Sequence, residues 1–162
     1  MLKGIKNPKL RNTRGFTLLL ASLVVAIVLA VGASIFEIAQ KELTLSSIGR
    51  DSQFAFYAAD TAAECALYWD VRFKYFATTP PTPTFTCDGQ TITATGYSVT
   101  YPYTVTFQFE PNGYCAEVAV EKTVVGDPGF IRTFIRADGF STDCAGVSTN
   151  PRTLQRSVEL RY

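Results

Sequence analysis

The 162-residue chain contains no histidine. Without an imidazole there is no ordinary general base for a serine or cysteine nucleophile. Its cysteines, Cys65, Cys87, Cys115 and Cys144, stand far apart with no Cys-x-x-Cys pair, so no zinc or other metal site is expected. Carboxylates are sparse and none are paired in an evident way. Glu117 and Glu121 fall at solvent-facing positions of a strand pattern, and Gly126 to Gly129 reads as a turn rather than a phosphate-cradling loop. These gaps point away from an enzyme and from any cofactor. Charge is missing altogether over residues 16–36, acid is missing from residues 1–15, and proline is missing from residues 37–75.

What fills those gaps is directional. Residues 1–15 carry Lys3, Lys6, Lys9, Arg11 and Arg14, and the apolar run FTLLLASLVVAIVLAVGASIF follows at once. A run of about 20 apolar residues suffices to cross a hydrocarbon core of about 30 Å. Basic residues before such a run hold the leader in the cytoplasm and send the C-terminal side across the membrane. The run is interrupted only by Thr17, Ser22 and Ser34, whose hydroxyls can bond back to helix carbonyls and so tolerate lipid. All four cysteines lie on the exported side, where an even count reads as two disulfides with three connectivities open.

Beyond the apolar run, helix-forming residues continue to about Tyr75, with apolar positions at mixed three- and four-residue spacing from Ile38 to Leu67. Gly32 and Gly49 are its expected flexible points. The segment FAFYAADTAAECALYWD is rich in alanine, a composition that lets another backbone approach closely. Prolines in residues 78–83 then break the helix, and a turn is expected at Asp88-Gly89. Val105, Phe107 and Phe109 alternate with polar residues, as do Tyr114, Ala116, Val118 and Val120 across Pro111-Asn112-Gly113, which predicts an antiparallel hairpin. FIRTFIRA and TLQRSVELRY supply two further strands. The expected architecture is α+β: a long N-terminal helix packed on a small four-stranded antiparallel sheet, with the amphipathic half of the helix covering the apolar face. The divisions are a leader over 1–15, a membrane helix over 16–38, its amphipathic continuation over 39–76, and an exported β domain over 77–162. Bridging Cys65 to Cys87 would clip the proline-rich loop to the helix, a closure a chain-entropy model values at about 3 kcal/mol. Cys115 and Cys144 would then tie the hairpin to the loop between the third and fourth strands, the pairing preferred here. Phe130, Arg132, Phe134 and Arg136 could stack on and neutralise single-stranded DNA, but aromatics facing inward or pairing across the sheet are the preferred expectation for that run.

The segment Arg14-Gly15-Phe16-Thr17-Leu18-Leu19, set between a basic leader and an apolar helix, resembles the class III signal of type IV prepilins and pseudopilins. The layout of long helix, loop, small sheet and late cysteines is similar to that family, and FYAADTAAECAL resembles the small-residue segment of PilX-like minor pilins. The resemblance implies cleavage by a prepilin peptidase between Gly15 and Phe16, methylation of the new Phe16 amine, and assembly with other pilin subunits through the apolar helix at an inner-membrane assembly platform. Membrane lipid would surround the helix before assembly, and DNA or a surface ligand could be a further partner. Two features depart from the family. Its usual glutamate five residues into the mature chain is here Leu20, which argues for a minor, initiating subunit, because such subunits tolerate the loss. Its helix-breaking proline near the membrane exit is replaced by the Gly32 to Glu37 region. Two other arrangements fit the same residues. One is a signal peptide cut after Val31-Gly32-Ala33; the other is a permanent single-span anchor carrying an external binding domain. The mature N-terminus separates all three.

Overall fold

The computed structural model describes residues 14–77, 84–126 and 129–162. Lys3, Lys6, Lys9 and Arg11 therefore lie outside the described residues, as do the helix-breaking prolines and the middle of the Gly126 to Gly129 turn. One helix, α1 (Arg14–Phe73), precedes six strands: β1 (Thr84–Cys87), β2 (Gln90–Thr93), β3 (Tyr103–Phe109), β4 (Ala116–Val125), β5 (Phe130–Phe140) and β6 (Gln155–Arg161). Contacts divide the chain into a unit ending at Ser46 and a unit running from Ser47 to Tyr162. Helix α1 contributes to both.

The first unit, as far as it is described, is helix alone. Every side chain from residue 15 to residue 46 is exposed, including the apolar ones. Backbone hydrogen bonds within a helix need no outside partner, so such a segment is suited to lipid, where water cannot satisfy amides. The Ser22 hydroxyl donates to the Leu19 carbonyl at 2.9 Å and the Ser34 hydroxyl to Ala30 at 3.0 Å, so these polar groups are satisfied within the helix. Gly32 and Gly49, the expected flexible points, both lie inside α1.

In the second unit, β3-β4-β5-β6 form an all-antiparallel sheet in chain order, and β1 and β2 form a separate hairpin. Register places Val105 opposite Val120, Phe107 opposite Val118 and Phe109 opposite Ala116, so the alternation seen in the sequence becomes one apolar face. Thr133, Ile135, Ala137 and Gly139 extend that face along β5, and the half-buried Val158 and Leu160 continue it on β6.

Against this face α1 lays Ala55, Ala58, Ala59, Ala62, Ala63 and Ala66, all buried. Their spacing of three and four residues forms one stripe on a helix. Gly139 shows how close the layers come. A Cβ built there would lie 2.1 Å from the Ala55 carbonyl oxygen and 2.4 Å from the Ala59 nitrogen, backbone atoms of α1. The alanine stripe thus produces the expected close approach, and it needs a residue without a side chain opposite.

Two expectations are corrected in detail. Helix packing begins later than residue 39, since Ile38, Leu45 and Ile48 are exposed. Nor is the helix the sheet's sole cover. Tyr75 and Phe76, just after α1, and Phe85 on β1 complete it, with Phe76 and Phe85 rings 5.7 and 5.0 Å from Phe107. The β1–β2 hairpin itself was not foreseen, although its turn was: Asp88 and Gly89 take φ of 48° and 71°, the paired positive values of a type I′ turn. Cys65 bridges Cys87 and Cys115 bridges Cys144, with Cα separations of 6.0 and 4.6 Å. The first bridge fastens β1 to the helix, where Trp69 Nε1 also donates to the Thr86 carbonyl at 2.9 Å.

Candidate functional site

Three parts of the molecule carry chemistry beyond simple packing. The first is the N-terminal stretch of α1. Gly15 and Phe16 fall in its first turn, directly after Arg14, and the Phe16 side chain is 70% exposed. Leu20, where a glutamate would stand in the resembling family, is 51% exposed on the same helix. From Phe16 to Phe36 the helix offers apolar surface on all sides, and α1 is long and apolar enough to cross a membrane. A uniformly apolar helix is suited to lipid or to a sheath of other helices, and not to water.

The second part was not anticipated. Lys122 occupies an inward position of β4, in phase with Val118 and Val120, and is 6% exposed. Its Nζ donates to Asp70 Oδ2 at 2.5 Å and to Thr133 Oγ1 at 2.8 Å. The Tyr162 hydroxyl donates to the same Asp70 oxygen at 2.5 Å. Helix, central strands and the residue after β6 are therefore joined by one buried polar knot. Strict alternation would have exposed it, because a lysine in phase with two core valines must either point inward or break the strand.

Burial also acts on the tyrosines at this end of the unit. It pushes the Tyr103 hydroxyl up to about 12, helped by Tyr101 and by the negative charge of Asp70. Burial raises Tyr162 as well, and its bond to Asp70 adds to the shift. An unfolded tyrosine titrates near 10. Between pH 10 and 12 the unfolded chain therefore gives up protons that the folded chain keeps, and stability falls as pH rises. Urea midpoints measured from pH 8.5 to 11.5 should decline steadily above pH 10, and Tyr162→Phe should make the decline shallower by removing one titrating group.

The third part is the outer face of the sheet. Phe130, Arg132, Phe134 and Arg136 do share one face of β5, but it is the face turned away from α1, which corrects the inward orientation expected of the aromatics. Pairing across the sheet does hold for Phe134: the Arg161 guanidinium lies 4.8 Å from its ring centroid. Arg136 pairs with Asp138 at 3.1 Å and reaches Glu159 at 4.0 Å, while Arg161 lies 3.6 Å from Glu159. Burial raises the Asp138 carboxyl, yet bonds from Ser157, Arg136 and Gln155 and the Arg136 charge outweigh it and hold the group below the usual carboxylate range. Glu117 and Glu121 lie on the same face. With carboxylates interleaved among its guanidiniums, this face lacks the basic stripe that tracks a phosphate backbone.

The structure thus joins Cys65 to Cys87 and Cys115 to Cys144, while Gly15, Phe16 and Leu20 lie in the first two turns of α1. Among the described residues no group of three or more histidine, cysteine, aspartate or glutamate side chains is arranged to hold a metal. A scan against protein-family models, a search of curated proteins and a search of solved structures return no match to this chain.

Proposed function

We propose that the chain is a type IV pilin-like subunit, a minor one that helps to initiate a pilus or pseudopilus. The observation that carries this is the uncharged, fully exposed helical segment that starts at Phe16, immediately after Arg14-Gly15 and a basic leader. The chain enters the membrane with its leader in the cytoplasm and its sheet outside. A prepilin peptidase cuts between Gly15 and Phe16, and the Phe16 amine is methylated. On extraction from lipid by an assembly platform, apolar helices of neighbouring subunits bury one another, each offering on the order of a thousand Å² at about 25 cal/mol per Å². Leu20 in place of a carboxylate removes part of the roughly 2.5 to 3.5 kcal/mol that a charge costs at the middle of a membrane span, and with it a partner for a neighbour's amine. A subunit that starts a filament has less need of that partner than one that extends it. The disulfide-bonded sheet is the exported part.

The test is the intact mass and N-terminal sequence of protein from membranes containing a prepilin peptidase. A chain that begins at Phe16 and carries one extra methyl group is expected. A chain beginning at Met1 would be a plain membrane anchor, and one beginning near Ser34 a secreted β domain; either would refute filament assembly.

A further inference from the structure

Strands β4 and β5 outrun their neighbours. β3 ends its pairing at Tyr103 opposite Lys122, and β6 ends at Arg161 opposite Phe134. Thr123, Val124 and Val125 pair only with Arg132, Ile131 and Phe130, as a two-stranded arm. Two strands alone are at best marginally stable in water, yet this arm exposes apolar side chains on both faces: Phe130 is 75% exposed, Ile131 58%, Val124 48% and Val125 41%. A second apolar surface lies on the outer side of α1, a shallow groove of about 550 Å³ lined by Glu64, Leu67, Tyr68, Val71 and Arg72. Exposed apolar patches of this kind mark contacts with other molecules.

We infer that the arm of one copy of this chain docks into the α1 groove of a second copy. Phe130 cannot reach the groove of its own chain, because it faces away from α1 while the groove lies on the helix side turned away from the sheet. The charges match across copies. Arg132 stands two residues from Phe130 on the same strand face, about 6.7 Å along it. Glu64 stands one helical turn from Tyr68, about 6 Å along the helix. With Phe130 seated on Leu67, Tyr68 and Val71, Arg132 meets Glu64, and among the described residues neither of these two charges makes an ion pair. An anionic lipid surface fits less well, since binding to one draws on clusters of basic residues and Arg132 is the arm's one exposed basic residue among those described. The two patches differ, so the contact is head-to-tail and repeats from copy to copy without closing on itself, unless its rotation makes a ring. In that respect it rests on the filament reading and names which surfaces of neighbouring exported units meet.

The experiment places a photoreactive benzoylphenylalanine at position 130 of the full chain, in membranes holding an equal mixture of normal and heavy-isotope copies. The expected product joins position 130 of one copy to residues 64–72 of another. Arg132→Glu should lower its yield about fivefold, the scale of an exposed pair turned from attraction to repulsion, and adding Glu64→Arg should restore it. Cross-links to lipid, to another protein or to a different surface of the second copy would overturn the inference, as would absence of product or a charge reversal without effect or without rescue. If the mature N-terminus proves not to be Phe16 while the expected product still forms, the filament reading fails and the contact between copies stands.

Discussion

Gly139→Val is expected to cost about 3 kcal/mol or more of folding stability, at the upper end of what overpacking does in a well-packed core. The cost arises because the new atoms meet backbone and not flexible side-chain ends. At 2.1 Å from the Ala55 carbonyl oxygen and 2.4 Å from the Ala59 nitrogen, even the first added carbon cannot be accommodated without moving α1 or β5. Moving the helix would open the contacts of the whole alanine stripe, from Ala55 to Ala66. Gly139→Ala should therefore also destabilise, though less. Gly49→Ala provides the contrast, since nothing lies within 4 Å of a Cβ there. In a helix that exchange should be neutral or stabilising by up to about 1 kcal/mol. Urea unfolding of the full chain in detergent, followed by tryptophan fluorescence, reads both, because Trp69 on α1 donates to the Thr86 carbonyl of the hairpin. A Gly139→Val protein as stable as the parent would mean that the layers are not in contact at this point.

The alanine stripe could be recognised from the sequence because small residues at helical spacing have one economical use, a close approach to a neighbour. Its partner could not. Gly139 ends a run whose readable part stops at Ala137, and a glycine near the end of a strand pattern looks like a stop signal. β5 posed a different difficulty. Phe130 and Phe134 occupy one phase and Ile131 and Ile135 the other, so a period of two is apolar in both phases and does not say which set faces inward. The neighbouring strands decide it: Ile135 lies opposite Val120 and Leu160, whereas Phe134 lies opposite Glu121 and Arg161. The β1–β2 hairpin leaves little trace in the sequence because its strands are four residues each, rich in threonine, with only Phe85, Cys87 and Ile92 turned to the core. By contrast, the β3–β4 hairpin is legible because its strands alternate with one period of two, and the helix because an unbroken apolar run passes into proline-free helix formers and an alanine stripe. The processing site proposed at Arg14, Gly15 and Phe16 rests on residue order beside the apolar run and not on packing.

Lys122→Ala should be among the most damaging single changes in the exported unit, costing about 3 to 5 kcal/mol, the range for breaking a buried ion pair by removing one partner. Asp70 is 6% exposed, so without the ammonium its carboxylate would keep only the Tyr162 hydroxyl among the partners described. Thr133 Oγ1 would lose its donor at the same time. The pair's net contribution is a separate quantity, because both charges had to leave water for it to form. Replacing the two together, Asp70→Leu with Lys122→Met, should therefore recover most of the loss and could equal or exceed the parent. Unfolding midpoints of the parent, the two single variants and the double variant form a cycle that separates these quantities. Large single losses with a near-neutral double variant would show that the knot fixes how α1 sits on β4 and β5 more than it holds them together. Should Lys122→Ala cost less than about 1 kcal/mol, the ammonium would have to be reaching solvent, and the close Asp70 contact would not describe the protein in solution.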